Sequence, residues 1–425
     1  MGQRLLIMGG SVRSCADEET IIHATKQITN EPDLYEYIEH VARCHAISNS
    51  EGSGIAVAYG AMKYTNDIKY VRLNEYINSK GQFHQQQELL DLMIDADGYV
   101  FLTPVYFGDR SSLLFDLFTA VKQHGLDFDG KVSAVASVGA KRNGGQETTN
   151  IYTLYNLMQM KSLAVGNGPP TSQYGGTLVG GNKGTMDNDY FGIMTAMGVG
   201  TKISQTMNLL EATGSSKPVI SFWFTEDMPD RRYYRYLKSL LPKLPATAEW
   251  RILDLLNFNF HQCFACNRCP YEMGEHSYKC VIRDDDMAIV QPSLLESDGF
   301  IVCGLNYEDE AQKQSVYQRF VERTRYIRRN DFMLTNHPFM TLSMNELFAD
   351  HSYDLKAFTA FLRHNTIAHR GLRVFETKHG LEEPDMNDCL HSFVDITAKS
   401  KSQRMQARVI QKSAYEAIGY ESKWQ

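Results

Sequence analysis

Two loops, each placed directly after an apolar run, constrain the fold of this chain more than any other feature. The segment Thr103–Gly108 (TPVYFG) follows the run Gly98–Leu102, and the segment Gly139–Glu147 (GAKRNGGQE) follows the run Val132–Val138. Apolar runs that alternate with segments of helical periodicity predict the buried parallel strands of a doubly wound α/β sheet. Ligands of such sheets bind outside the carboxyl ends of the strands, so both loops are expected at a ligand site.

The loops resemble those of the flavodoxin-like NAD(P)H-dependent FMN reductases and their iron–sulfur flavoprotein relatives. Those proteins carry a Ser/Thr-Pro-Val-Tyr-x-Gly loop after the third strand and a Gly-rich loop with Arg and Gly-Gly-Gln-Glu after the fourth. The resemblance covers roughly residues 4–210 and implies bound FMN, with NAD(P)H as electron donor. Glycines let the backbone approach a flat ring, and aromatic side chains offer faces for stacking. The flavin-binding residues that the resemblance implies in these loops are Thr103, Pro104, Val105, Tyr106, Phe107, Gly108, Gly139, Arg142, Gly144, Gly145 and Gln146.

The apolar run Leu5–Met8, near the start of the chain, is followed by Gly-Gly-Ser-Val-Arg-Ser. This loop resembles the Gly-Ser-Pro-Arg phosphate loop of the same family. In that loop, backbone N–H groups and hydroxyls at a helix N-terminus hold the FMN phosphate. The resemblance implies Ser11, Arg13 and Ser14 as phosphate-binding residues. Three acids at 17–19 depart from the family pattern, since carboxylates at a helix start would repel a phosphate. We therefore expect either a longer loop or a weaker grip on the phosphate.

The segment 30–69 separates the first two expected strands and is longer than usual for this fold. It predicts an inserted pair of helices that covers a substrate site or a subunit contact. A second glycine-rich segment, 175–184, lies in a region that borders the flavin in the family.

The sequence indicates a tandem duplication. Ala96–Leu102 recurs as Ser297–Cys303, and an amphipathic segment precedes each copy, at Gln86–Ile94 and Met287–Leu295. This pattern predicts two tandem flavodoxin-like doubly wound parallel sheets. The expected boundaries are 1–213 for an FMN-binding domain, 217–398 for a degenerate domain and 399–425 for a C-terminal helical tail.

The second copy lacks the flavin loops. Its first loop, 224–230, contains three acids and no glycine, and residues 304–309 (GLNYED) stand where the first copy has TPVYFG. A phosphate is not expected beside three carboxylates, so we expect a single flavin per chain.

Four of the eight cysteines are close together in the second copy, in the pattern Cys263-x2-Cys266-x2-Cys269-x10-Cys280. Cys-x2-Cys-x2-Cys is a recurring run in ferredoxins, and iron–sulfur flavoproteins carry a similar run after the second strand. The leading interpretation is a 4Fe–4S cluster held by these four cysteines. Two alternatives stay open: a zinc site in which His261 or His276 replaces a cysteine, and a set of empty thiols.

Composition excludes some classes of function. A net charge of −7 argues against a nucleic-acid partner, which requires a basic surface. No uninterrupted apolar stretch approaches the roughly 20 residues that span a bilayer, and the start of the chain lacks the pattern of a signal peptide. We therefore expect a cytoplasmic protein with reduced cysteines and no membrane partner.

The expected function is that of an FMN-dependent oxidoreductase that takes electrons from NAD(P)H and relays them, through an iron–sulfur cluster, to a small-molecule or redox-protein acceptor. The alternative is a non-enzymatic flavin or metal electron carrier, or an assembly factor with a structural zinc. No side chain stands out as an acid–base catalyst. In iron–sulfur flavoproteins the cluster and the flavin approach each other across a subunit contact. A homodimer or an intrachain pseudo-dimer is therefore expected.

Overall fold

The computed structural model describes most of the chain, in two compact units, 1–209 and 210–425. The described residues are 3–182, 184–186, 188–214, 216–225, 231–266, 269, 280–304, 310–329, 332–345, 352–377, 380–382 and 386–406.

The N-terminal unit alternates strands with helices. Its strands are β1 (Arg4–Gly9), β2 (Asp67–Arg72), β3 (Gly98–Pro104), β4 (Val132–Gly139), β5 (Leu163–Ala164) and β6 (Gly176–Val179). Its helices are α1 (Glu31–Arg43), α2 (Asn49–Ala61), α3 (Leu73–Tyr76), α4 (Gln86–Asp95), α5 (Ser112–Gln123), α6 (Gln146–Gln159) and α7 (Tyr190–Glu211).

The strands of this unit form a parallel sheet in the order β2-β1-β3-β4-β5, and β6 pairs with the carboxyl half of β4. This is the flavodoxin-like strand order, so the predicted fold is confirmed. Every residue of β4 is buried, as expected for a strand that is covered by helices on both faces of the sheet.

The segment 30–69 contains the predicted pair of helices, but the second one belongs to the core. Helix α2 is buried along almost its whole length and packs against β1, β3 and β4. It therefore serves as the crossover helix between β1 and β2, and the additional part of the chain is the stretch that precedes it. A capping box between Ser48 and Glu51 starts the helix at the carboxyl edge of the sheet.

The C-terminal unit has the same plan. Its strands are β7 (Val219–Phe224), β8 (Glu249–Asp254), β9 (Gly299–Gly304), β10 (Pro338–Asn345), β11 (Ile367–Ala368), β12 (Leu372–Thr377) and β13 (Gly380–Glu382). Its helices are α8 (Arg232–Leu240), α9 (Met287–Glu296), α10 (Glu310–Arg323), α11 (Arg325–Arg329), α12 (Ser352–Leu362) and α13 (Met386–Gln406). The parallel order is β8-β7-β9-β10-β11, with β12 beside the end of β10 and β13 antiparallel to β12.

The repeated Asp-Gly pair has the same structural role in each unit. The Asp97 carboxylate accepts a hydrogen bond from the backbone N–H of Arg4, and the Asp298 carboxylate accepts one from Val219, both at 2.8 Å. Each carboxylate thereby fixes the third strand of its sheet against the first. A common origin of the two units stays a prediction.

Some predicted segments lie partly outside the described residues, namely 226–230 and 305–309 of the second-copy loops and 407–425 of the tail. Helix α13 continues through residue 399, so the first part of the predicted tail belongs to this helix. Among the helices that the structure describes, none combines the length and the apolar character needed to cross a bilayer.

Candidate functional site

A cavity of about 180 Å³ lies at the carboxyl edge of the N-terminal sheet. Its walls come from the loops after β1, β3, β4 and β6 and from the start of α2. The lining residues are Ser11, Arg13, Ser48, Asn49, Ser50, Pro104, Val105, Tyr106, Val138, Ala140, Gly180 and Gly181. The structure thus brings five of the predicted flavin-binding residues together, and it adds the start of α2, which the sequence did not indicate.

The loop after β3 presents one of its two aromatic residues to the cavity. Tyr106 and Asp109 exchange backbone hydrogen bonds of 2.8 and 3.0 Å, which closes a tight turn. Phe107 and Gly108 occupy the turn with φ of 51° and 83°, a pair of positive φ values that glycine adopts without steric cost. The Tyr106 ring lines the cavity, whereas Phe107 is fully exposed at the tip of the turn. Tyr106 is therefore the aromatic residue that can stack on a ligand.

Thr103 connects two loops of the site. Its hydroxyl accepts a hydrogen bond from the Ser111 N–H at 3.0 Å, and the Ser111 hydroxyl donates to the carbonyl of Gly10. The Gly10 N–H in turn donates to the Leu102 carbonyl at 2.7 Å. Thr103 is fully buried and does not line the cavity, so its role is to hold the loops after β1 and β3 together.

The Gly-Gly-Gln motif supports the loop after β4 from within. The Gln146 side chain donates to the carbonyls of Lys141 and Leu178 at 2.7 and 2.9 Å and accepts from the Gly144 N–H at 2.9 Å. A Cβ on Gly139 would lie 2.7 Å from this amide. These residues shape the loop and are not part of the cavity lining.

The two glycines of the motif allow close approach between parts of the protein. A Cβ on Gly145, whose φ is +96°, would lie 2.9 Å from Cα of Gly108 and 3.3 Å from Val105. A Cβ on Gly144 would lie 2.8 Å from the Lys141 carbonyl oxygen. The sequence suggested that these glycines make room for a flavin ring. In the structure they make room for neighbouring parts of the protein, and their contact with a flavin ring stays a prediction.

Arg142 stabilises the far wall of the cavity without lining it. Its guanidinium donates to the carbonyl of Thr177 at 2.9 Å and pairs with the carboxylate of Asp189. The same carboxylate accepts from the Val179 N–H at 2.6 Å. This network fixes the end of β6, and Gly180 and Gly181 follow directly in the cavity wall.

A buried glutamate holds the loop after β1. The Glu51 carboxylate accepts hydrogen bonds from the backbone N–H groups of Cys15, Ala16 and Ser48 at 2.7–3.1 Å and from the Tyr70 hydroxyl at 2.8 Å. Glu51 is completely buried. Burial, and then the charge of Glu51, raises the pKa of Tyr70. Apart from the Ser-x-x-Glu pattern of a capping box, nothing in the sequence marks Glu51.

Ser14 belongs to the inner side of the same loop. It is buried, its carbonyl accepts a hydrogen bond from the Asn74 amide at 2.9 Å, and it is not among the lining residues. Of the three residues proposed for the phosphate, Ser11 and Arg13 therefore face the cavity.

The four cysteines of the C-terminal unit lie in different environments. Cys266 is exposed, Cys269 is buried, Cys263 and Cys280 are half-buried, and none of them is in a disulfide. Within the described residues, no three His, Cys, Asp or Glu side chains are close enough together to hold a metal ion. Residues 267, 268 and 270–279, including His276, lie outside the described part. The donor chemistry suits a cluster or zinc, but the described geometry does not gather the thiols, and the ligand set stays a prediction.

A buried ion pair closes the cysteine segment at both ends. The Arg323 guanidinium pairs with the Asp285 carboxylate and also donates to the carbonyls of His261 and Ile282, both at 3.4 Å. Asp285 accepts from the His261 N–H at 2.9 Å. Burial alone would raise the pKa of Asp285, but the hydrogen bonds from Arg323 and His261 hold it below its ordinary value.

Tyr326, three residues after Arg323, lies near two of the cysteines. Its hydroxyl is buried and has no hydrogen-bond partner among the described residues. Burial, followed by the charge of Cys280, raises the pKa of Tyr326, and Cys269 acts in the same direction. A buried hydroxyl of this kind can donate a hydrogen bond to a nearby thiolate.

Part of the chain matches a known family. The model of the NADPH-dependent FMN reductase family matches residues 54–168. An iron–sulfur flavoprotein of Methanocaldococcus jannaschii is 39% identical over 127 residues, which are 29% of this chain and 65% of that protein. An iron–sulfur flavoprotein of Methanosarcina thermophila is 28% identical over 127 residues, 29% of this chain and 63% of the relative. The chain thus matches less than two thirds of the length of either relative.

Solved structures with some similarity include a WrbA-like flavodoxin of Agrobacterium tumefaciens, with 13% identity, 50% of this chain and 100% of that chain covered, and a TM-score of 0.32. A Fusobacterium nucleatum flavodoxin bound to FMN has 12% identity, 49% and 98% coverage and a TM-score of 0.26. The fold assignment rests on the strand order of each unit. Over residues 54–168 the chain is therefore similar to the NADPH-dependent FMN reductase family.

Proposed function

We propose that this protein is an FMN-dependent oxidoreductase that takes electrons from NAD(P)H, with the flavin bound in the N-terminal unit. The cavity at the carboxyl edge of the N-terminal sheet carries this proposal, because open α/β sheets bind their ligands at that edge. The family match of residues 54–168 supports FMN as the ligand.

The lining residues suit a flat, phosphate-bearing ligand. Tyr106 offers an aromatic face, and Ala140, Gly180 and Gly181 form a wall with little side-chain bulk. Arg13 supplies a positive charge, and Ser50 supplies a hydroxyl. The residues present therefore fit FMN.

Bound FMN would supply the redox chemistry, and the protein would supply binding and orientation. Among the lining residues that the structure describes, there is no Asp, Glu, His, Lys or Cys side chain. These residues therefore bind and orient the ligand, while protons exchange with solvent through the open side of the cavity.

The test uses the full chain, purified without oxygen and freed of flavin. FMN should bind at one site per chain, and NADPH or NADH should bleach the bound flavin much faster than free FMN. Flavin that binds but is not reduced by either nicotinamide would favour the electron carrier over the reductase. A chain that binds no FMN would contradict both.

We also propose that the cysteine segment binds a metal centre, with an iron–sulfur cluster favoured over zinc. Three observations support this assignment. Four thiols lie close together in the sequence, the buried Arg323–Asp285 pair holds both ends of the cysteine segment, and two relatives are named iron–sulfur flavoproteins. Iron with acid-labile sulfide in anaerobic preparations is expected. Stoichiometric zinc without sulfide would favour the structural-zinc alternative. We further propose that the electron acceptor is a small molecule or a redox protein. We also propose that two copies of the chain pair, and analytical ultracentrifugation measures this oligomeric state.

A further inference from the structure

Residues 180–186 lead from the end of β6 toward α7, and we call this segment the strap; residue 183 lies outside the described part. Its first two residues, Gly180 and Gly181, line the cavity. The Gly180 N–H donates to the Gly139 carbonyl at 2.9 Å, so the strap begins beside the end of β4. The position of the strap therefore sets the width of the cavity at this wall.

A single side chain at the start of α2 holds the strap. The Asn49 amide nitrogen donates to the carbonyls of Gly180 and Asn182, at 3.0 and 2.6 Å. The Asn49 amide oxygen accepts from the Gly184 N–H at 3.0 Å. One amide thus binds three backbone groups of the strap, which fixes the backbone on both sides of residue 183.

Packing holds the far end of the strap against the same pair of helices. Met186 is completely buried, and a Cβ on Gly52 of α2 would overlap its sulfur. A Cβ on Gly184 would lie 2.6 Å from the carbonyl oxygen of Ala42, which belongs to α1. Both helices lie in the segment 30–69, which is longer than usual for this fold. This segment therefore supports one wall of the cavity.

The two glycines of the cavity wall differ in what requires them. A Cβ on Gly180 would lie 2.6 Å from the Asn49 amide, so the packing of the strap requires glycine there. The φ of Gly181 lies outside the positive region, and the atom nearest to an added Cβ is the carbonyl oxygen of Ala140, at 3.8 Å. That separation is an ordinary contact distance. Neither the backbone conformation nor the packing of the protein requires glycine at position 181.

A glycine that the fold does not require is unfavourable for stability. The absence of a Cβ gives the unfolded chain more conformations, so alanine at a compatible position is normally stabilising. Gly181 lines the cavity beside Ala140, where a side chain would take up space next to a ligand. The need of a ligand for that space gives the glycine a physical reason.

We propose that Gly181 is a specificity-determining residue, whose missing side chain leaves the width that the flat ring of the flavin needs. Asn49 is a positioning residue, because its hydrogen bonds hold the strap, and Gly181 with it, at a fixed distance from the rest of the cavity. This inference rests on the proposed function. It assigns the selection of the ring to one residue and the support of that residue to the segment 30–69.

The first test titrates the flavin-free full chain with FMN and compares Gly181→Ala with Gly181→Leu. The affinity should fall with the size of the side chain, by roughly tenfold to hundredfold for leucine, because the added atoms compete with the ring for space. The melting temperature without FMN should not fall. Gly180→Ala is the contrasting variant, since its Cβ would overlap Asn49 and should lower the melting temperature. Equal losses of stability in Gly181→Ala and Gly180→Ala would make Gly181 a structural glycine and overturn the inference.

The second test uses Asn49→Ala, which removes the three hydrogen bonds to the strap. Hydrogen exchange in the strap should become faster, and bound FMN should dissociate faster. Asn208→Ala is the matched control, because Asn208 is also half-buried and donates to a backbone carbonyl, that of Tyr64 at 3.2 Å, near the end of α7. It should change neither rate.

The double variant separates a positioning role of Asn49 from a general loss of stability. In the Asn49→Ala background, Gly181→Leu should weaken FMN binding less than it does alone, because the released strap can move away from the ligand. Such non-additivity is expected only for residues that are coupled. Additive effects would show that Asn49 does not control the position of residue 181.

The outcomes also separate the inference from the proposed function. A wild-type chain that binds no FMN contradicts both. A wild-type chain that binds FMN, together with a Gly181→Leu variant of equal affinity, overturns the inference and leaves the flavin site in place. If Gly181→Leu does not fold, Gly181→Ala decides: a lower FMN affinity at an unchanged melting temperature supports the inference, and an unchanged affinity overturns it.

Discussion

The two units share a strand order but differ at the carboxyl edge of their sheets. In the N-terminal unit, this edge presents backbone groups, hydroxyls and one tyrosine ring around a cavity. The carboxyl edge of the sheet in the C-terminal unit carries a cysteine segment, and the ends of this segment are hydrogen-bonded to a buried ion pair. The comparison shows that the fold decides where a site lies, and the loops decide which chemistry it can perform.

Each edge is also held by a buried charge. In the N-terminal unit, Glu51 is satisfied by backbone N–H groups and a tyrosine hydroxyl. In the C-terminal unit, Asp285 is satisfied mainly by Arg323. A buried charge is stable only when it is paired or hydrogen-bonded, so both devices are sensitive to the loss of one partner.

The largest expected effect tests whether the C-terminal unit binds its metal independently of the FMN in the N-terminal unit. Cys269→Ser should abolish metal binding in the cysteine segment, because a hydroxyl is a poor substitute for a soft thiolate ligand. FMN content should not change, since the N-terminal cavity is untouched. Metal and flavin analysis of the purified chain measures both. Cys44→Ser, at an exposed cysteine of the N-terminal unit, should change neither. Loss of FMN along with the metal would break the division between the units.

The next effect concerns the stability of the C-terminal edge. Arg323→Met leaves the buried Asp285 carboxylate without its partner and should cost about 3–5 kcal/mol in the free energy of unfolding of this unit. Hydrogen exchange of peptides from each unit measures this change separately. Arg251→Met is the control, because Arg251 pairs with Glu249 and Glu296 at the surface and should cost at most about 1 kcal/mol. An equal loss of unfolding free energy in the two variants would show that the buried pair does not stabilise this unit more than a surface pair does.

A third prediction tests the contact between the two flavin loops. Gly145→Ala places a Cβ 2.9 Å from Gly108, and this overlap should weaken FMN binding by about 1–3 kcal/mol. Gly130→Ala is a matched control, because Gly130 also has a positive φ but has no atom within 4 Å of the added Cβ. Both variants share the backbone strain, so the difference in FMN affinity isolates the loop contact. Identical affinities would refute the packing role of Gly145.

The smallest expected effect distinguishes the two neighbouring aromatic residues. Tyr106→Leu removes the ring that lines the cavity and should weaken FMN binding by about 0.5–1.5 kcal/mol, the usual contribution of aromatic stacking. Phe107→Leu should leave the affinity unchanged, because Phe107 is fully exposed at the tip of the turn. Fluorescence titration with FMN measures both. A larger loss in the Phe107 variant would mean that the turn closes over the ligand.

Much of the fold was predictable because its signals are local. The runs Gly98–Leu102 and Val132–Val138 became β3 and β4, and Gln86–Ile94 and Met287–Leu295 became α4 and α9. A buried strand or an amphipathic helix leaves a periodic pattern in its own residues, so these elements can be recognised without knowledge of their neighbours. The role of α2 could not be read in this way, because the helix that covers a sheet is selected by contacts with distant strands.

The candidate site was predictable in place but not in detail. Tyr106 and Arg13 line the cavity as expected, while Gln146, Gly145 and Arg142 support the loops around it. A motif indicates that a residue belongs to a site, but it does not distinguish a residue that faces the ligand from one that holds the loop. That distinction depends on side-chain direction.

The sequence by itself determined the α/β class, the order of strands and helices, and the edge of the sheet at which a ligand should bind. These properties follow from hydrophobic periodicity and from the position of loops after strands. Only the tertiary structure decided that Glu51 occupies the amides of the first loop, that Ser50 faces the cavity, and that Arg323 closes the cysteine segment. Glu51 lies 35 positions from Ala16, and Arg323 lies 62 positions from His261. A contact between distant residues leaves no periodic signal, so it can be seen only once the chain has folded.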